Sequence, residues 1–167
     1  MDRSRLTSLV RCSVCAALMA VCAWVTVPVG DTVITLQTFA LFFSLAFLGG
    51  GRGTAVCLVY LTLGALGLPV FSGFQGGMGA LLGPTGGFLL GFLLTALWVW
   101  LLEGRLPVWL NLTLGLLLCY LCGSLWYYFL YTEGGLWAVV LKCVLPCILP
   151  DALKLWLALT VRKRIKI

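Results

Sequence analysis

Six long apolar runs leave this chain few possible folds. They lie at about residues 6–27, 33–48, 54–71, 80–102, 106–131 and 136–161. With its flanks, each run is long enough to cross the ~30 Å hydrocarbon core of a bilayer. Backbone groups in lipid need internal hydrogen-bond partners, so each run predicts a helix. We therefore predict an all-α membrane protein with six transmembrane helices, in a single integral membrane domain over residues 1–167.

The composition supports this prediction. The chain is 62% hydrophobic and 10% charged, with a mean hydropathy of +1.13. A soluble domain of this length would have to expose much of that apolar surface to water. The first run has a basic start, as a signal peptide does, but no small-x-small cleavage site follows it. We therefore expect it to form the first helix.

Charges in the connections predict the orientation of the bundle. The basic residues outside the apolar core cluster at the start of the chain, in alternate connections and near its end: Arg3, Arg5, Arg11, Arg52, Arg105, Arg162, Lys163, Arg164 and Lys166. The other connections contain Asp31 and Glu133 but no Lys or Arg. The positive-inside rule then places both termini in the cytoplasm of a multi-pass cell-membrane protein. The net charge of +6 is therefore a topology signal, and no solvated basic face for nucleic acid is expected.

Asp151 and Lys154 lie in the middle of the sixth run. A charge at that depth costs about 2.5–3.5 kcal/mol on insertion scales. The spacing i, i+3 places both side chains on one helix face. A polar binding site and a structural ion pair that holds a kink are both compatible with this pattern. Pro146 and Pro150 predict an interrupted helix, with Pro150 in a new first turn and Asp151 at its positive dipole end.

A glycine-rich segment, residues 64–87, contains nine Gly and two Pro and no charged residue. Irregular backbone at membrane depth is tolerated only where it is buried in protein or lines a cavity. The segment therefore predicts a re-entrant or lid-like loop with backbone amides available to a ligand. It is not a phosphate-binding loop, because no Gly-Lys-Ser/Thr follows. A flexible linker fits less well, since such linkers seldom contain Leu, Phe and Met.

The segment 27–38 follows the first run and alternates β-branched with polar residues after Pro28 and Gly30. This pattern favours an extended loop on the outer side. Thr35, Gln37 and Thr38 would offer hydrogen-bonding groups at the entrance to the bundle. An ordinary loop that leads into a helix, with Thr as its cap, is the alternative.

Small residues recur on one face of the first helix at Cys12, Ala16 and Ala20. Such rows allow close helix packing in lipid, either within the chain or against a separate membrane subunit. The chain has eight cysteines and no histidine. All eight lie in apolar runs, where free Cys packs as a small hydrophobe. We therefore expect no metal site and no disulfide framework.

Read together, these segments resemble the BioY family, the biotin-binding capture subunits (S components) of energy-coupling-factor (ECF) transporters. The resemblance rests on four blocks in chain order: Val-Ile-Thr-Leu-Gln-Thr-Phe at 33–39, Tyr-Leu-x-x-Gly-Ala-x-Gly-Leu-Pro-Val-Phe at 60–71, the Gly-Pro-Thr-Gly-Gly block at 83–87 with Gly76 and Gly77 before it, and Pro-x-x-x-Pro-Asp-x-x-Lys at 146–154. The last two blocks are highly specific to that family.

The resemblance implies a six-helix S-component bundle with an outward-facing pocket for biotin. It implies that Gln37, Gly76, Gly77, Asp151 and Lys154 face the ligand. Gly73 stands where many members have Asn, so the corresponding polar contact is expected from Gln75.

The same resemblance implies how the protein works with partners. A membrane coupling subunit and two cytosolic ATPase subunits would assemble with it, and Ala16 and Ala20 would contact the coupling subunit. No enzyme activity, no ATPase site of its own and no cofactor are expected, and biotin is the transported ligand. An S component for another vitamin, such as riboflavin or thiamine, and an intramembrane enzyme remain the alternatives. With one acid, one Lys and no His, the enzyme is the weaker of the two.

Overall fold

The computed structural model describes residues 3–29, 32–132 and 135–165. The long helices are α1 (Arg3–Trp24), α2 (Gln37–Leu48), α3 (Gly50–Ala65), α5 (Gly86–Leu101), α6 (Val108–Tyr131) and α8 (Leu145–Ile165). Two strands, β1 (Thr26–Val29) and β2 (Thr32–Thr35), follow α1, and the short helices α4 (Met78–Leu82) and α7 (Leu136–Val139) precede α5 and α8. The mostly helical fold confirms the predicted class.

The long helices follow the six apolar runs, although several boundaries differ from the prediction. Within the described ranges, three helical stretches are long and apolar enough to cross a membrane: Arg3–Trp24, Val108–Tyr131 and Leu136–Ile165. The helices Gln37–Leu48 and Gly86–Leu101 are apolar but shorter. The count of six spans and the cytoplasmic termini remain predictions, as does the outer-loop position of Asp31 and Glu133, which lie outside the described residues together with Lys166.

The extended segment after α1 forms an antiparallel hairpin, in which Thr26 pairs with Thr35 and Val27 pairs with Ile34. The second helix therefore begins at Gln37. The extended backbone predicted for residues 27–38 is confirmed as far as Thr35, and the start of the second apolar run at residue 33 was too early for the helix. The apolar residues at 33 and 34 belong to a strand whose β-branched side chains favour extended backbone. The hairpin carries Thr35 directly onto the start of α2.

The last helix is continuous from Leu136 to Ile165, with a π-helical turn at Val140–Val144 between α7 and α8. The prediction that Pro150 begins a new helix, with Asp151 in its first turn, was wrong: Pro150 lies inside α8. The wider turn, closed by a bond from the Leu145 amide to the Val140 carbonyl, lies directly before Pro146. Such a turn relieves the backbone next to a residue without an N–H, so the chain stays helical. The helix dipole therefore does not explain the charge of Asp151.

Close helix packing sets the geometry of the bundle. A Cβ on Gly64 would lie 2.0 Å from the Phe71 ring, and one on Gly91 would lie 2.8 Å from the Cys119 sulfur. These glycines allow α3 to accommodate the loop and α5 to approach α6. The α2 helix is buried along much of its length and packs against α1, α3 and α8.

The basic connections gather at one end of the bundle. The Glu103 carboxylate accepts a 3.0 Å hydrogen bond from the Gly50 amide, which joins the α5–α6 connection to the start of α3. Arg162, near the end of α8, borders the same crevice. The Arg11 guanidinium lies 5.9 Å from the centre of the Phe47 ring. This basic end is opposite the hairpin and the glycine-rich loop.

Candidate functional site

A cavity of about 140 Å³ lies at the hairpin end of the bundle. It is enclosed by the hairpin, the start of α2, the glycine-rich segment, α5, α6 and the last helix. The residues that line it are Val33, Ile34, Thr35, Gln37, Thr38, Ser72, Pro84, Thr85, Phe88, Leu89, Phe92, Cys119, Tyr120, Tyr127, Cys143, Cys147, Asp151 and Lys154. Both predicted charges and the three predicted polar residues, Thr35, Gln37 and Thr38, are therefore brought together.

Asp151 and Lys154 form a buried ion pair in the wall of this cavity. The Lys154 Nζ lies 2.7 Å from Asp151 Oδ1, and the two residues are 8% and 3% exposed. The Thr38 hydroxyl donates to the same carboxylate oxygen at 2.7 Å. The Tyr120 hydroxyl donates to Asp151 Oδ2 at 2.6 Å. Hydroxyl donors from α2 and α6, together with the ammonium, therefore stabilise the carboxylate, because charge-assisted hydrogen bonds are the strong ones.

Lys154 also fixes the hairpin to α8. Its ammonium donates a 2.6 Å hydrogen bond to the backbone carbonyl of Thr35, at the end of β2. The Thr35 hydroxyl in turn donates to Gln37 Oε1 at 3.1 Å. The ion pair thus joins the hairpin to α8 as well as lining the cavity. It does not hold a kink, because the last helix is continuous here, and its role in ligand binding stays a prediction.

Gln37 is held by a second chain of hydrogen bonds. Its side-chain Nε2 donates to the Tyr60 hydroxyl, and that hydroxyl donates to the Val70 carbonyl at 2.9 Å. Gln37 is 4% exposed, and Tyr60 is fully buried beside the Phe71 ring. The amide is therefore oriented before any ligand arrives.

Counting donors and acceptors identifies what the charged pair can still bind. A carboxylate has about four acceptor positions, and three are used by Thr38, Tyr120 and Lys154. An ammonium has three donors, and the contacts within the described part of the chain use two of them. One acceptor on Asp151 and one donor on Lys154 remain. The pair therefore suits a ligand that presents an N–H next to a carbonyl oxygen.

Apolar groups form the rest of the wall. Phe88, Leu89 and Phe92 project from one face of α5, and Ile34 projects from β2. Tyr127, near the C-terminal end of α6, also borders the cavity. A small molecule with an apolar ring system and one polar edge would be enclosed on most sides.

Gln75, Gly76 and Gly77 lie outside the residues that line this cavity. Gln75 is exposed, and its carbonyl accepts a 2.9 Å hydrogen bond from the Phe71 amide. The Gly77 amide donates to the Gly64 carbonyl at 2.7 Å, so it is already satisfied. A Cβ at Gly76 would lie 2.2 Å from the Leu68 carbonyl oxygen. In this conformation these residues shape the loop, and Ser72, Pro84 and Thr85 are its contributions to the wall.

The loop is fixed at both ends. The Trp24 indole donates a 2.8 Å hydrogen bond to the Pro69 carbonyl, and its ring stacks on Phe74. The Trp126 indole donates to the Gly83 carbonyl at 3.1 Å. The predicted lid-like segment is therefore ordered against α1 and α6.

Ala16 and Ala20 are half-buried at the edge of the packed face of α1. The face that packs inward is formed by Cys15, Met19 and Cys22. The small row thus contacts the core from one side and leaves its other side open, a position that permits close approach by another helix.

Five of the eight cysteines are buried: Cys15, Cys22, Cys57, Cys119 and Cys143. Among the described residues, no group of three or more metal-ligating side chains lies close enough together to hold a metal ion. Cys119, Cys143 and Cys147 border the cavity and add polarizable, apolar surface to its wall.

Tyr120 and Tyr60 are the members of the polar network that sequence reasoning did not select. Tyr120 lies midway along α6, far from the helix ends where interfacial tyrosines gather. That depth is a usable signal, since a phenol in the middle of a membrane span needs a hydrogen-bond partner. Thr38 was noted only as a group at the entrance, and its bond to Asp151 joins residues 113 positions apart.

Comparisons with known proteins agree on one family. The profile of the BioY family matches residues 1–167. The probable biotin transporter BioY of Pyrococcus horikoshii is 36% identical over 159 residues, which cover 90% of this chain and 90% of that protein. The biotin transporter BioY of Thermotoga maritima is 44% identical over 97 residues, which cover 58% of this chain and only 57% of that relative's length.

A solved structure shares the fold. The crystal structure of the S-component for biotin from an ECF-type ABC transporter matches with a TM-score of 0.89, at 22% identity, over 99% of this chain and 94% of that chain. The predicted S-component bundle is confirmed by this match. The whole-chain profile and the Pyrococcus relative establish the family directly: the chain belongs to the BioY family.

Proposed function

We propose that this protein is the substrate-binding S component of an ECF transporter and that its ligand is biotin. It captures biotin from the outer side of the cell membrane. A membrane coupling subunit and two cytosolic ATPase subunits then drive delivery into the cell. Its relatives are named biotin transporter and probable biotin transporter, and these names support biotin as the ligand and transport as the role.

The observation that carries the ligand assignment is the remaining acceptor on Asp151 beside the remaining donor on Lys154. The ureido group of biotin presents N–H donors on either side of a strongly accepting carbonyl oxygen. One N–H would donate to the Asp151 carboxylate, and the carbonyl would accept from the Lys154 ammonium. Such charge-assisted bonds are worth about 1.5–3 kcal/mol each.

The apolar wall suits the remainder of biotin. The thiophane ring and the aliphatic chain would pack against Phe88, Leu89 and Phe92 on α5. Burial of this surface contributes roughly 25 cal/mol per Å². The polar edge fixes the orientation of the ligand, and the apolar wall supplies most of the affinity.

Binding without catalysis fits the chemistry of the cavity. Its one acid and one Lys are paired with each other, and the chain has no histidine to act as a general base. A nucleophile with an adjacent base is the minimum arrangement for covalent catalysis. We therefore assign the protein no enzyme activity and place ATP hydrolysis in its partners.

Binding assays on the purified protein in detergent test the ligand assignment. Tryptophan fluorescence and radiolabelled biotin would be used in parallel, with riboflavin and thiamine as competitors. Saturable biotin binding that neither vitamin displaces is expected. Asp151→Asn is expected to weaken biotin binding. Glu103→Gln is its matched control, since it also replaces a carboxylate by an amide, at the opposite end of the bundle. Displacement of biotin by riboflavin or thiamine would overturn the assignment.

Assembly with the partners has its own test. Ala16→Trp is expected to abolish co-purification with the coupling subunit and leave biotin binding intact, because bulk blocks close helix approach. Val14→Trp, on the exposed opposite side of α1, is the control and should assemble normally. Loss of biotin binding in Ala16→Trp, with assembly intact, would mean that the small residues of α1 pack within the bundle and do not contact the coupling subunit.

A further inference from the structure

A groove runs along the outside of the bundle between α6 and α8. The α6 helix packs extensively on α5 but touches α8 at few places, and α8 packs mainly on α2. The gap is a cavity of about 410 Å³, lined almost entirely by apolar groups such as Leu117, Ile148 and Ala152. It lies on the other side of Tyr120 from the ligand cavity, and Tyr120 borders both.

The groove adjoins a wider recess at the basic end of the bundle. This recess has a volume of about 610 Å³. Trp156 and Leu159 border both cavities, so the recess lies directly beside the groove. From Val144 to Leu159 the groove follows 16 residues of helix, a rise of about 22 Å. That length exceeds half of the ~30 Å hydrocarbon core, enough for an extended acyl chain of one leaflet.

The recess has the chemistry of a lipid headgroup site. Arg162 and Lys163 border it, and the indoles of Trp109 and Trp156 stand at its sides, 58% and 63% exposed. Among the described residues, no acidic side chain lines either cavity. Indoles prefer the headgroup level, and basic clusters at the cytoplasmic ends of helices attract anionic lipids.

We propose that the α6–α8 groove binds an anionic phospholipid, with one acyl chain along the groove and the phosphate beside Arg162 and Lys163. An apolar groove that ends at two cations is complementary to a molecule with an apolar tail and an anionic head. An apolar helix of a second protein would fill the groove but would not pair with the charges of Arg162 and Lys163. A bound lipid would also fill the gap left by the sparse contact between α6 and α8.

Native mass spectrometry of the purified full-length protein tests this proposal. Phosphatidylglycerol and phosphatidylcholine with identical acyl chains would be added in detergent. Retention of phosphatidylglycerol but not phosphatidylcholine is expected. Arg162→Gln with Lys163→Gln should weaken phosphatidylglycerol binding by roughly fivefold per charge removed. The control Arg3→Gln with Arg5→Gln removes the same charge from an exposed helix end away from the groove.

A second pair of variants tests the acyl-chain part. Ala152→Trp fills the groove, whereas Leu153→Trp adds an indole at an exposed neighbouring position outside it. Only Ala152→Trp should reduce phosphatidylglycerol retention. Retained biotin binding by both variants would show that they are folded. Millimolar inorganic phosphate should not displace the lipid, because phosphate alone lacks the acyl chain.

Three outcomes would overturn the proposal. Equal loss of lipid in the Arg3/Arg5 control would mean diffuse electrostatic attraction. Full displacement by inorganic phosphate would mean that the recess is an anion site without a lipid. Unchanged retention in both the Arg162/Lys163 variant and Ala152→Trp would mean that lipid binds elsewhere.

Discussion

Removing the charges of Asp151 and Lys154 singly and together separates ligand contact from structural support. Lys154→Met leaves a buried carboxylate whose remaining donors, within the described residues, are Thr38 and Tyr120. Breaking a buried pair costs about 3–5 kcal/mol, and these hydroxyls place the expected loss near the lower figure. For a chain of this size, about 3 kcal/mol corresponds to a fall in Tm of roughly 6–12 °C.

Asp151→Asn keeps an oxygen for Thr38 and Lys154 but removes the negative charge that we propose accepts from the ureido N–H. Biotin affinity is expected to fall by about 1–3 kcal/mol, or roughly 5- to 150-fold in Kd. The double variant removes both charges, so it should regain much of the stability that Lys154→Met loses. Its biotin affinity should stay low, because neither ligand contact is restored.

The assay combines thermal unfolding in detergent with equilibrium biotin binding for the wild type, both single variants and the double variant. Stability that recovers in the double variant while affinity does not is the expected pattern. A stable double variant that binds biotin at wild-type affinity would refute the site assignment. The pair would then be a structural brace between α8 and the hairpin.

Three further predictions concern single positions. Tyr120→Phe should lower both the free energy of unfolding and the free energy of biotin binding by about 1–2 kcal/mol each, since it removes one donor from the carboxylate of the proposed ligand contact; unchanged affinity by radioligand binding would limit Tyr120 to a structural role. Gly64→Ala should destabilise the fold by about 1–3 kcal/mol in thermal unfolding, because its Cβ meets the Phe71 ring, whereas Gly79→Ala, with nothing within 4 Å, should not. Gln37→Ala should weaken biotin binding more than Gln75→Ala, and the reverse order would show that the loop rearranges to meet the ligand.

Much of the architecture could be predicted from apolar length and charge position alone. The apolar runs indicate helices because lipid leaves the backbone no other common solution. The charges of Asp151 and Lys154 predicted a polar cavity because such charges are expensive at that depth, and both residues line one. Both arguments use only local sequence and the solvent, which is why they succeed without knowledge of helix packing.

The partners of those charges could not be predicted in the same way. Which hydroxyl reaches Asp151 depends on how α2 and α6 are rotated against α8, and no periodic pattern fixes that rotation between helices. The hairpin was ambiguous because a short β-branched run suits a strand or a buried helix equally. The sequence predicted that the Gly77 amide is available to a ligand. Its acceptor, the Gly64 carbonyl, is 13 residues away and comes close only when the loop folds.

The π-helical turn at Val140–Val144 allows the last helix to gain or lose one residue there without rotating the faces on either side of the turn. Each residue of a regular helix advances the face by about 100°, and the wider turn absorbs one additional residue. Deleting one residue within the turn would convert it to a regular α-helical turn and leave both flanks in their present orientation, with Asp151 and Lys154 still directed into the cavity. The same deletion between Pro150 and Lys154 would swing one charge toward lipid. The turn is therefore the place where the last helix tolerates a change of length.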